Sequence, residues 1–183
     1  MRTLAGTLFL ALAPLSAFAA DAPGVPNFYS VTDHLYRGGQ PTHVGIKNLA
    51  KIGIRTVVDL RGGKDREEEM LVHAAGMRYV HVPMGAFSAP SDQQIAAVLQ
   101  LLDDASAPPV FIHCKRGADR TGTVIACYRI RHDHWENQKA LVEARKNGLS
   151  WVERGMQQYI LQFETKPKLA DSNVTLQPAP VAQ

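Results

Sequence analysis

The chain has 183 residues, of which 45% are hydrophobic and 20% are charged. This apolar content supports one sizeable core and excludes a largely disordered chain. Only two cysteines are present, which excludes a small domain held together by disulfides. The 20 Lys and Arg residues against 17 Asp and Glu form no basic run, so a nucleic-acid partner is not indicated.

The N-terminus has the three parts of a secretory signal peptide. Arg2 gives a positive start, Leu4–Leu15 is apolar, and residues 17–19 (AFA) offer an A-x-A cleavage pattern. A transmembrane anchor is the alternative, but the stretch is shorter than the ~20 apolar residues that a spanning helix needs, and Pro14 interrupts it. We therefore expect residues 1–20 to be removed and the mature chain to be exported to the periplasm, without a stable membrane span.

Strand-like and helix-like segments then alternate along the chain. Short β-branched runs predict strands at Leu35–Arg37, Ile54–Leu60, Tyr79–Val82 and Val110–Ile112. Apolar residues at helical spacing predict helices over 42–51, 65–75, 93–102, 123–131, 137–145 and 150–163. This alternation indicates a three-layer α/β fold with a mostly parallel central sheet flanked by helices.

We expect the domain to span residues 28–164. The preceding segment, Ala22–Asn27, is rich in proline and glycine and is predicted to be mobile. Residues 165–183 contain several prolines and no periodicity, which predicts a disordered tail. Ligands of such folds bind beyond the carboxyl ends of the strands, and Cys114 lies at such an end.

The segment His113–Gly122 (HCKRGADRTG) joins the last predicted strand to a helix. A helix N-terminus offers free N–H groups and the positive end of the helix dipole, which suits an anion. Five residues separate Cys114 from Arg120, enough for a loop that turns its amides toward one phosphate while Arg120 binds two of its oxygens. The same field lowers the pKa of the Cys114 thiol and makes its thiolate a nucleophile. We therefore predict that Cys114 and Arg120 are catalytic and that phosphate is bound by Lys115, Arg116, Gly117, Ala118, Asp119 and Arg120.

These residues resemble the H-C-x5-R-[ST] signature of the cysteine-dependent protein tyrosine phosphatase superfamily, in its dual-specificity branch. Residues 36–41 (YRGGQP) and 57–61 (VVDLR) are also similar to that branch, both to exported bacterial members and to the atypical plant and fungal ones. The resemblance implies the dual-specificity phosphatase-like fold and hydrolysis of phosphomonoesters through a phosphocysteine. It implies that Thr121 assists departure of the thiolate, that His113 orients the loop, and that no metal or cofactor takes part.

The general acid is where the sequence departs from the family pattern. Members usually carry an aspartate in the loop after the third strand, but residues 84–90 (MGAFSAP) contain no carboxylate. Asp92 is the nearest one, although Ser-Asp before a helix is also an N-cap pattern. Asp119 is the second candidate, because an aspartate also precedes the arginine in the loop of the myotubularin lipid phosphatases. The alternative role of Asp119 is a hydrogen bond that braces the loop, and we favour Asp92.

Several further side chains allow two interpretations of their role. Lys115 and Arg116 either form a solvated face of the loop or widen its positive field toward a substrate with several phosphates. Arg61 either reaches substrate or pairs with Asp59 in a turn. Cys127 lies about two turns into the helix after the loop, too far from Cys114 for the ~7 Å that a disulfide needs, so we expect it to be buried and reduced.

The sequence therefore predicts a metal-independent cysteine phosphatase that acts on a phosphorylated protein or a small phosphorylated substrate, with phosphotyrosine in protein as the leading class. An inositol polyphosphate phosphatase on the same scaffold is the first alternative, and a phosphate-binding pseudophosphatase is the second. A rhodanese-type sulfurtransferase also uses a cysteine loop at a strand end, but residues 120–122 (RTG) fit the phosphatase pattern better.

Overall fold

Side chains of the central strands point alternately to two faces of a sheet that is buried on both sides. The computed structural model describes residues 21–102 and 108–164, and the predicted signal peptide and tail lie outside them. Val57 and Val58 are both fully buried, but they belong to different apolar clusters. Phe111 and Ile112 divide in the same way. A sheet covered by helices on both faces produces such continuous apolar runs.

The strands are β1 Tyr29–Ser30, β2 Leu35–Gly39, β3 Thr56–Asp59, β4 Arg78–His81 and β5 Val110–Cys114. They form one sheet in the order β1-β2-β5-β3-β4. Only the β1–β2 pair is antiparallel, so the predicted mostly parallel sheet is confirmed. The sequence analysis missed β1, because two exposed residues carry no alternating pattern. β5 lies between β2 and β3, which places its carboxyl end in the middle of one sheet edge.

The helices in the described part of the chain are α1 His43–Lys51, α2 Arg66–Ala74, α3 Asp92–Leu102, α4 Asp119–Arg131, α5 Asn137–Lys146 and α6 Arg154–Gln162. Leu49 of α1 and Val72 of α2 pack on one face of the sheet. Val98 of α3 and Val124 of α4 pack on the other face, which confirms the three-layer arrangement. α5 and α6 join α4 in a third apolar cluster. No helix in the described residues is long and apolar enough to cross a membrane.

Side-chain caps determine where three of these helices begin. Thr42 and Asp65 each accept a hydrogen bond from the amide three residues further on, at 3.1 Å, which starts α1 and α2. At α3 the Ser91 hydroxyl accepts from the Gln94 amide, and the Gln94 side chain accepts from the Ser91 amide. This reciprocal pair is a capping box, so Ser91 and not Asp92 caps α3.

The segment before residue 28 is packed, whereas the sequence analysis expected it to be mobile. Ala22 is 2% exposed and Val25 is 7% exposed, and both belong to the cluster beneath α1. The Asn27 side chain donates a hydrogen bond to the Gly117 carbonyl at 2.9 Å. The prolines and glycines of this segment support turns that fold it back onto the domain, and a turn residue pattern by itself does not distinguish a packed turn from a mobile one.

Val25→Ala is expected to lower the free energy of unfolding by about 2 kcal/mol, because it removes buried methyl groups and leaves a cavity. Val142 is 55% exposed and provides the matched control, since Val142→Ala is expected to change that free energy by less than about 0.5 kcal/mol. Urea unfolding of the two variants and the parent chain makes the comparison. Equal effects of the two substitutions would show that the segment before residue 28 is not part of the core.

Candidate active site

Cys114 is the last residue of the central strand and lies where three strands end together. It pairs with Gly39 of β2, and its neighbour His113 pairs with Gly38 of β2 and Asp59 of β3. These strands are parallel, so their carboxyl ends meet at the same sheet edge. The predicted position of Cys114 at a strand end is therefore what the structure shows.

The loop after Cys114 runs directly into α4. The sequence analysis placed the start of this helix at Thr123, but α4 begins at Asp119. Ala118 is the N-cap residue and makes no side-chain cap bond. The first turn therefore lacks the polar cap that marks a helix start in a sequence, and its free amides face the loop. Arg120 and Thr121 thus belong to the first helical turn.

Gly117 gives the loop its tight turn. Its φ angle is +72°, and a Cβ atom there would lie 2.2 Å from the carbonyl carbon of Gly38. Both observations require glycine at this position. The amide of Gln40 donates to the Lys115 carbonyl at 3.2 Å. The end of β2 therefore forms one wall of the loop.

The pKa of the Cys114 thiol is lowered from its ordinary value. Burial by itself would raise it, but the hydroxyl and amide of Thr121, the positive charge of Arg120 and the amide of Gly117 outweigh that effect. The Thr121 hydroxyl is buried and has no hydrogen-bond partner among the described residues, so it is available to a thiolate at Cys114. The loop thus stabilises a thiolate at Cys114, which is the nucleophilic form.

Arg120 extends from the first turn of α4 toward the loops that follow β3 and β4. Its Nη1 atom lies 3.5 Å from the carbonyl oxygens of both Leu60 and Met84. The guanidinium is only partly buried, and no carboxylate contacts it in the described residues. Its donors are therefore available to a bound anion.

The two cations that follow Cys114 make different contacts. The Lys115 ammonium donates to the neutral Gln40 side chain at 2.8 Å and lines a groove of about 620 Å³ with His43 and Val44. Arg116 is exposed and donates to the Asp119 carboxylate at 2.5 Å. Lys115 therefore adds positive charge beside the loop, whereas the charge of Arg116 is matched by a carboxylate of the loop itself.

The structure places the two candidate general acids in different surroundings. Asp119 accepts from Arg116 and also from the Ser150 amide at 2.9 Å, so both of its oxygens brace the loop. Asp92 is exposed on the first turn of α3, and the Tyr159 hydroxyl donates to it at 2.8 Å. Burial, followed by the hydrogen bond to Asp92, raises the pKa of Tyr159 and keeps that hydroxyl protonated. The described contacts do not join Asp92 to Cys114.

His113 belongs to a buried network beneath the loop. Its Nε2 atom lies 2.8 Å from Glu68 of α2, and its ring stacks on Phe111. Glu68 and Asp59 both accept from the Arg61 guanidinium at 2.7 Å. Arg61 therefore pairs with carboxylates, the turn-stabilising alternative of the sequence analysis, rather than pointing toward a substrate.

Burial would raise the pKa of Asp59, but the hydrogen bond from Arg61, the charge of His113 and the hydrogen bond from Tyr79 lower it overall. Asp59, Glu68 and His113 are also the one group of potential metal ligands that lies close together in the described residues. Arg61 already contacts both carboxylates, and the Tyr79 hydroxyl donates to Asp59 at 2.6 Å. A cation at this position would have to displace the guanidinium, so we do not propose this cluster as a metal site.

Two residues at the loop were missed by the sequence analysis. The Arg37 guanidinium donates to the Gly117 carbonyl at 2.5 Å, and Asn27 donates to the same oxygen. Arg37 stands in the YRGGQP segment quoted above, but an isolated arginine in a strand gives no indication of its partner. Asn27 carries no local signal, because its contact spans 90 residues of sequence.

The second cysteine matches its prediction. Cys127 is free and fully buried. Burial raises the pKa of its thiol, so it stays protonated, and the charge of Asp92 adds to the rise. Of the two thiols, only Cys114 is in a setting that favours the thiolate.

Comparison with known proteins places the chain among phosphatases. A family model described as a DSP-PTPase phosphatase fused to NAD+ kinase matches residues 22–161. The dual specificity protein phosphatase TpbA of Pseudomonas aeruginosa is 32% identical over 151 residues, 76% of this chain and 67% of its own length. A TpbA sequence from a second strain is 33% identical over 123 residues, and the match covers 55% of that relative's length. The inositol diphosphatase DSP5 of Arabidopsis thaliana is 30% identical over 151 residues, 76% of this chain and 70% of its own.

Solved structures share the fold. The crystal structure of P. aeruginosa TpbA matches with a TM-score of 0.65 and 28% identity over 76% of this chain and 90% of that one. The core catalytic domain of the PP-IP phosphatase SIW14 from S. cerevisiae matches with a TM-score of 0.70 over 79% of this chain and 89% of that one. At 23% identity the second likeness concerns the fold alone.

Thr121→Val is expected to raise the pKa of the Cys114 thiol by about half a unit to one unit, because it removes a donor to the thiolate and keeps the side-chain shape. The parent chain should titrate below the ~8.5 of a free thiol. The rate of iodoacetamide alkylation as a function of pH measures both values.

Thr123→Val provides the matched control for this measurement. Thr123 is also fully buried, but its hydroxyl donates to the Asp119 carbonyl at 2.8 Å. Its substitution should leave the alkylation pKa unchanged. If Thr121→Val titrates like the parent chain, the hydroxyl does not stabilise the thiolate.

Proposed function

The chain belongs to the family of cysteine-based dual-specificity protein phosphatases, and on this premise we propose that it hydrolyses phosphotyrosine, and other phosphomonoesters, on proteins. One observation carries the proposal: Cys114, with a lowered thiol pKa, ends β5 and interacts with Arg120 and Thr121 in the first turn of α4. The relative TpbA is named a dual specificity protein phosphatase, which supports this substrate class.

In the first step the Cys114 thiolate attacks phosphorus, an S–P bond forms, and the bond from phosphorus to the leaving oxygen breaks. The charge that builds on the phosphoryl oxygens is stabilised by Arg120 and by the loop amides, which are already oriented and need little rearrangement. A general acid gives its proton to the leaving oxygen.

In the second step water attacks the phosphocysteine and gives a proton to the carboxylate that the general acid became in the first step, and the S–P bond breaks. Inorganic phosphate leaves, and the sulfur departs as a thiolate. Thr121 is placed to assist this departure, because the same hydroxyl that lowers the thiol pKa stabilises the sulfur as it regains its charge.

Within this proposal Asp92 is the general acid. Both oxygens of Asp119 are occupied by Arg116 and Ser150, so moving that carboxylate toward a leaving group would break the contacts that brace the loop. Asp92 is exposed, and its described partner is one hydroxyl at the surface. The residue is therefore the more accessible of the two.

A second candidate function is the hydrolysis of inositol polyphosphates. The Arabidopsis relative DSP5 is named an inositol diphosphatase, and the Lys115 ammonium lines a groove beside the catalytic loop. Arg116 does not support binding of a substrate with several phosphates, because its positive charge is already paired with the Asp119 carboxylate. We keep phosphoprotein as the leading substrate for this reason.

We also propose that the protein acts after export, most simply in the periplasm. The pattern of residues 1–20 supports this location. The burial of Cys127 is compatible with an oxidising compartment, because it keeps that thiol away from Cys114 and from solvent oxidants.

Phosphate release from a phosphotyrosine peptide and from inositol hexakisphosphate tests the function. The chain from residue 21 onward is expected to hydrolyse the peptide faster, in the presence of a metal chelator, and Cys114→Ser is expected to abolish release. Faster release from the inositol phosphate would make hydrolysis of inositol polyphosphates the leading candidate function. Binding without release, or release that survives Cys114→Ser, would contradict the phosphatase mechanism and favour a phosphate-binding role.

Asp92→Asn is expected to slow hydrolysis of phenyl phosphate by about 10²-fold or more, because a poor leaving group needs its proton. Hydrolysis of p-nitrophenyl phosphate, whose leaving group needs little protonation, should fall far less. Asp119→Asn provides the comparison and is expected to slow both esters to the same extent by loosening the loop. If Asp119→Asn and not Asp92→Asn shows the leaving-group dependence, the acid is Asp119.

A further inference from the structure

Arg37 is a buried cation that lies behind the catalytic loop and is not part of it. It stands on β2 and is only 1% exposed. It pairs with Ile112 of β5, two residues before Cys114, and lies on the same sheet face as its strand neighbour Leu35. Cys114 and Ile112 belong to the cluster on that face, so Arg37 and the nucleophile share one side of the sheet.

The guanidinium of Arg37 holds one peptide of the loop. Its Nη2 atom donates to the Gly117 carbonyl at 2.5 Å, and the Asn27 side chain donates to the same oxygen at 2.9 Å. A carbonyl oxygen turned toward the phosphate site would repel the anion, whereas one turned outward leaves the loop amides to face it. The positive φ of Gly117 and its packing against Gly38 fix the same peptide.

The rest of the guanidinium is left without partners. Its Nε and Nη1 atoms are buried and make no hydrogen bond within the described part of the chain. A charged group buried with so few bonds is costly unless a nearby negative charge compensates it.

The negative groups around Arg37 identify the group on which its charge acts. Burial lowers the pKa of Arg37, and the negative charges of Glu143 of α5 and of the Cys114 thiolate of β5 oppose that effect. Neither has a described ion pair with Arg37, and Glu143 is already engaged by Arg129. Electrostatic interaction is mutual, so a thiolate that stabilises the Arg37 cation is stabilised by it.

We propose that Arg37 is a positioning residue of the catalytic loop: it holds the Gly117 carbonyl away from the phosphate site and supplies, from behind, a second positive charge that favours the Cys114 thiolate. Arg120 then acts on the sulfur from the first turn of α4, and Arg37 acts on it from β2. Arg120 is exposed to the bound anion, whereas Arg37 never touches it.

The Cys114 sulfur interacts with three positive charges, those of Arg120 from α4, Arg37 from β2 and Arg116 from the loop itself, and with the Thr121 hydroxyl. The charge of Arg116 is already matched by Asp119. The neighbouring His113 belongs to the paired network of Glu68, Asp59 and Arg61. A change in the thiol pKa on substitution of Arg37 is therefore attributable to the loss of its charge, provided that this network is left intact.

Arg37→Met removes the charge and the donor at similar side-chain length. It is expected to raise the alkylation pKa of Cys114 by about one unit and to lower kcat at least tenfold. Arg37→Lys keeps the charge but is too short to hold the Gly117 carbonyl in the same way. It should leave the alkylation pKa near that of the parent chain and weaken the binding of inorganic phosphate, measured as competitive inhibition.

Asn27→Ala and Arg131→Met are the matched controls. Asn27→Ala removes the second donor to the Gly117 carbonyl without a change of charge and leaves Arg37 to hold that oxygen, so the alkylation pKa should stay constant. Arg131 is a partly buried arginine of α4 that pairs with Glu164. Arg131→Met removes a positive charge that does not act on Arg37 or the loop, so it should leave the thiol pKa unchanged.

Two outcomes would overturn the proposal. One is an alkylation pKa in Arg37→Met equal to that of the parent chain. The other is an Arg37→Lys protein whose phosphate affinity and kcat equal those of the parent chain. This second test requires only that the conservative variant Arg37→Lys folds. The inference rests on the proposed function only where kcat is measured. The alkylation pKa can be measured whether or not the protein hydrolyses an ester. If the parent chain hydrolyses no ester while Arg37→Met still raises the thiol pKa, the proposed function fails and the role of Arg37 stands.

Discussion

Contact between Gly117 and the end of β2 determines the shape of the catalytic loop. There is room for a hydrogen atom and not for a side chain between Gly117 and Gly38, and the Gly117 carbonyl is held by Arg37 and Asn27. The amides of Gly117 and Thr121 contribute to the lowered pKa of the Cys114 thiol, together with the Thr121 hydroxyl and the charge of Arg120. The site is thus shaped by β2 and the segment before it, neither of which contains the nucleophile.

Buried charge is arranged in two separate groups around the nucleophile. Asp59, Glu68, Arg61 and His113 are paired with one another beneath the sheet edge, and this network connects β3, α2 and β5. Arg37 has no such carboxylate partner among the described residues, and it donates instead to the Gly117 carbonyl of the loop. The first group joins secondary structure elements together, whereas Arg37 acts on the catalytic loop.

The sequence was sufficient for the parts of the site that are local in the chain. The strand, the loop and the helix around Cys114 follow one another within ten residues, so their types and spacing predicted a phosphate-binding loop, and the structure has the strand, loop and helix on which that prediction depends. The start of α4 was placed too late, because Ala118 offers no capping side chain. Arg37 and Asn27 were missed because their contacts with Gly117 span 80 and 90 residues, and a local pattern carries no information about such pairs. The segment at Val25 was misjudged for the same reason, since its burial depends on α1 and not on its neighbours in sequence.

The central position of β5 has a consequence for hydrogen exchange. Its amides and carbonyls are bonded to β2 on one side and β3 on the other, and the residues on both of its faces are buried. Backbone groups of this kind exchange only when a protein opens almost completely. Cys114 is the last residue of this strand, so the nucleophile is attached to the slowest-exchanging part of the molecule. Any adjustment to substrates of different size must come from the loops around it, while the sulfur atom keeps its place.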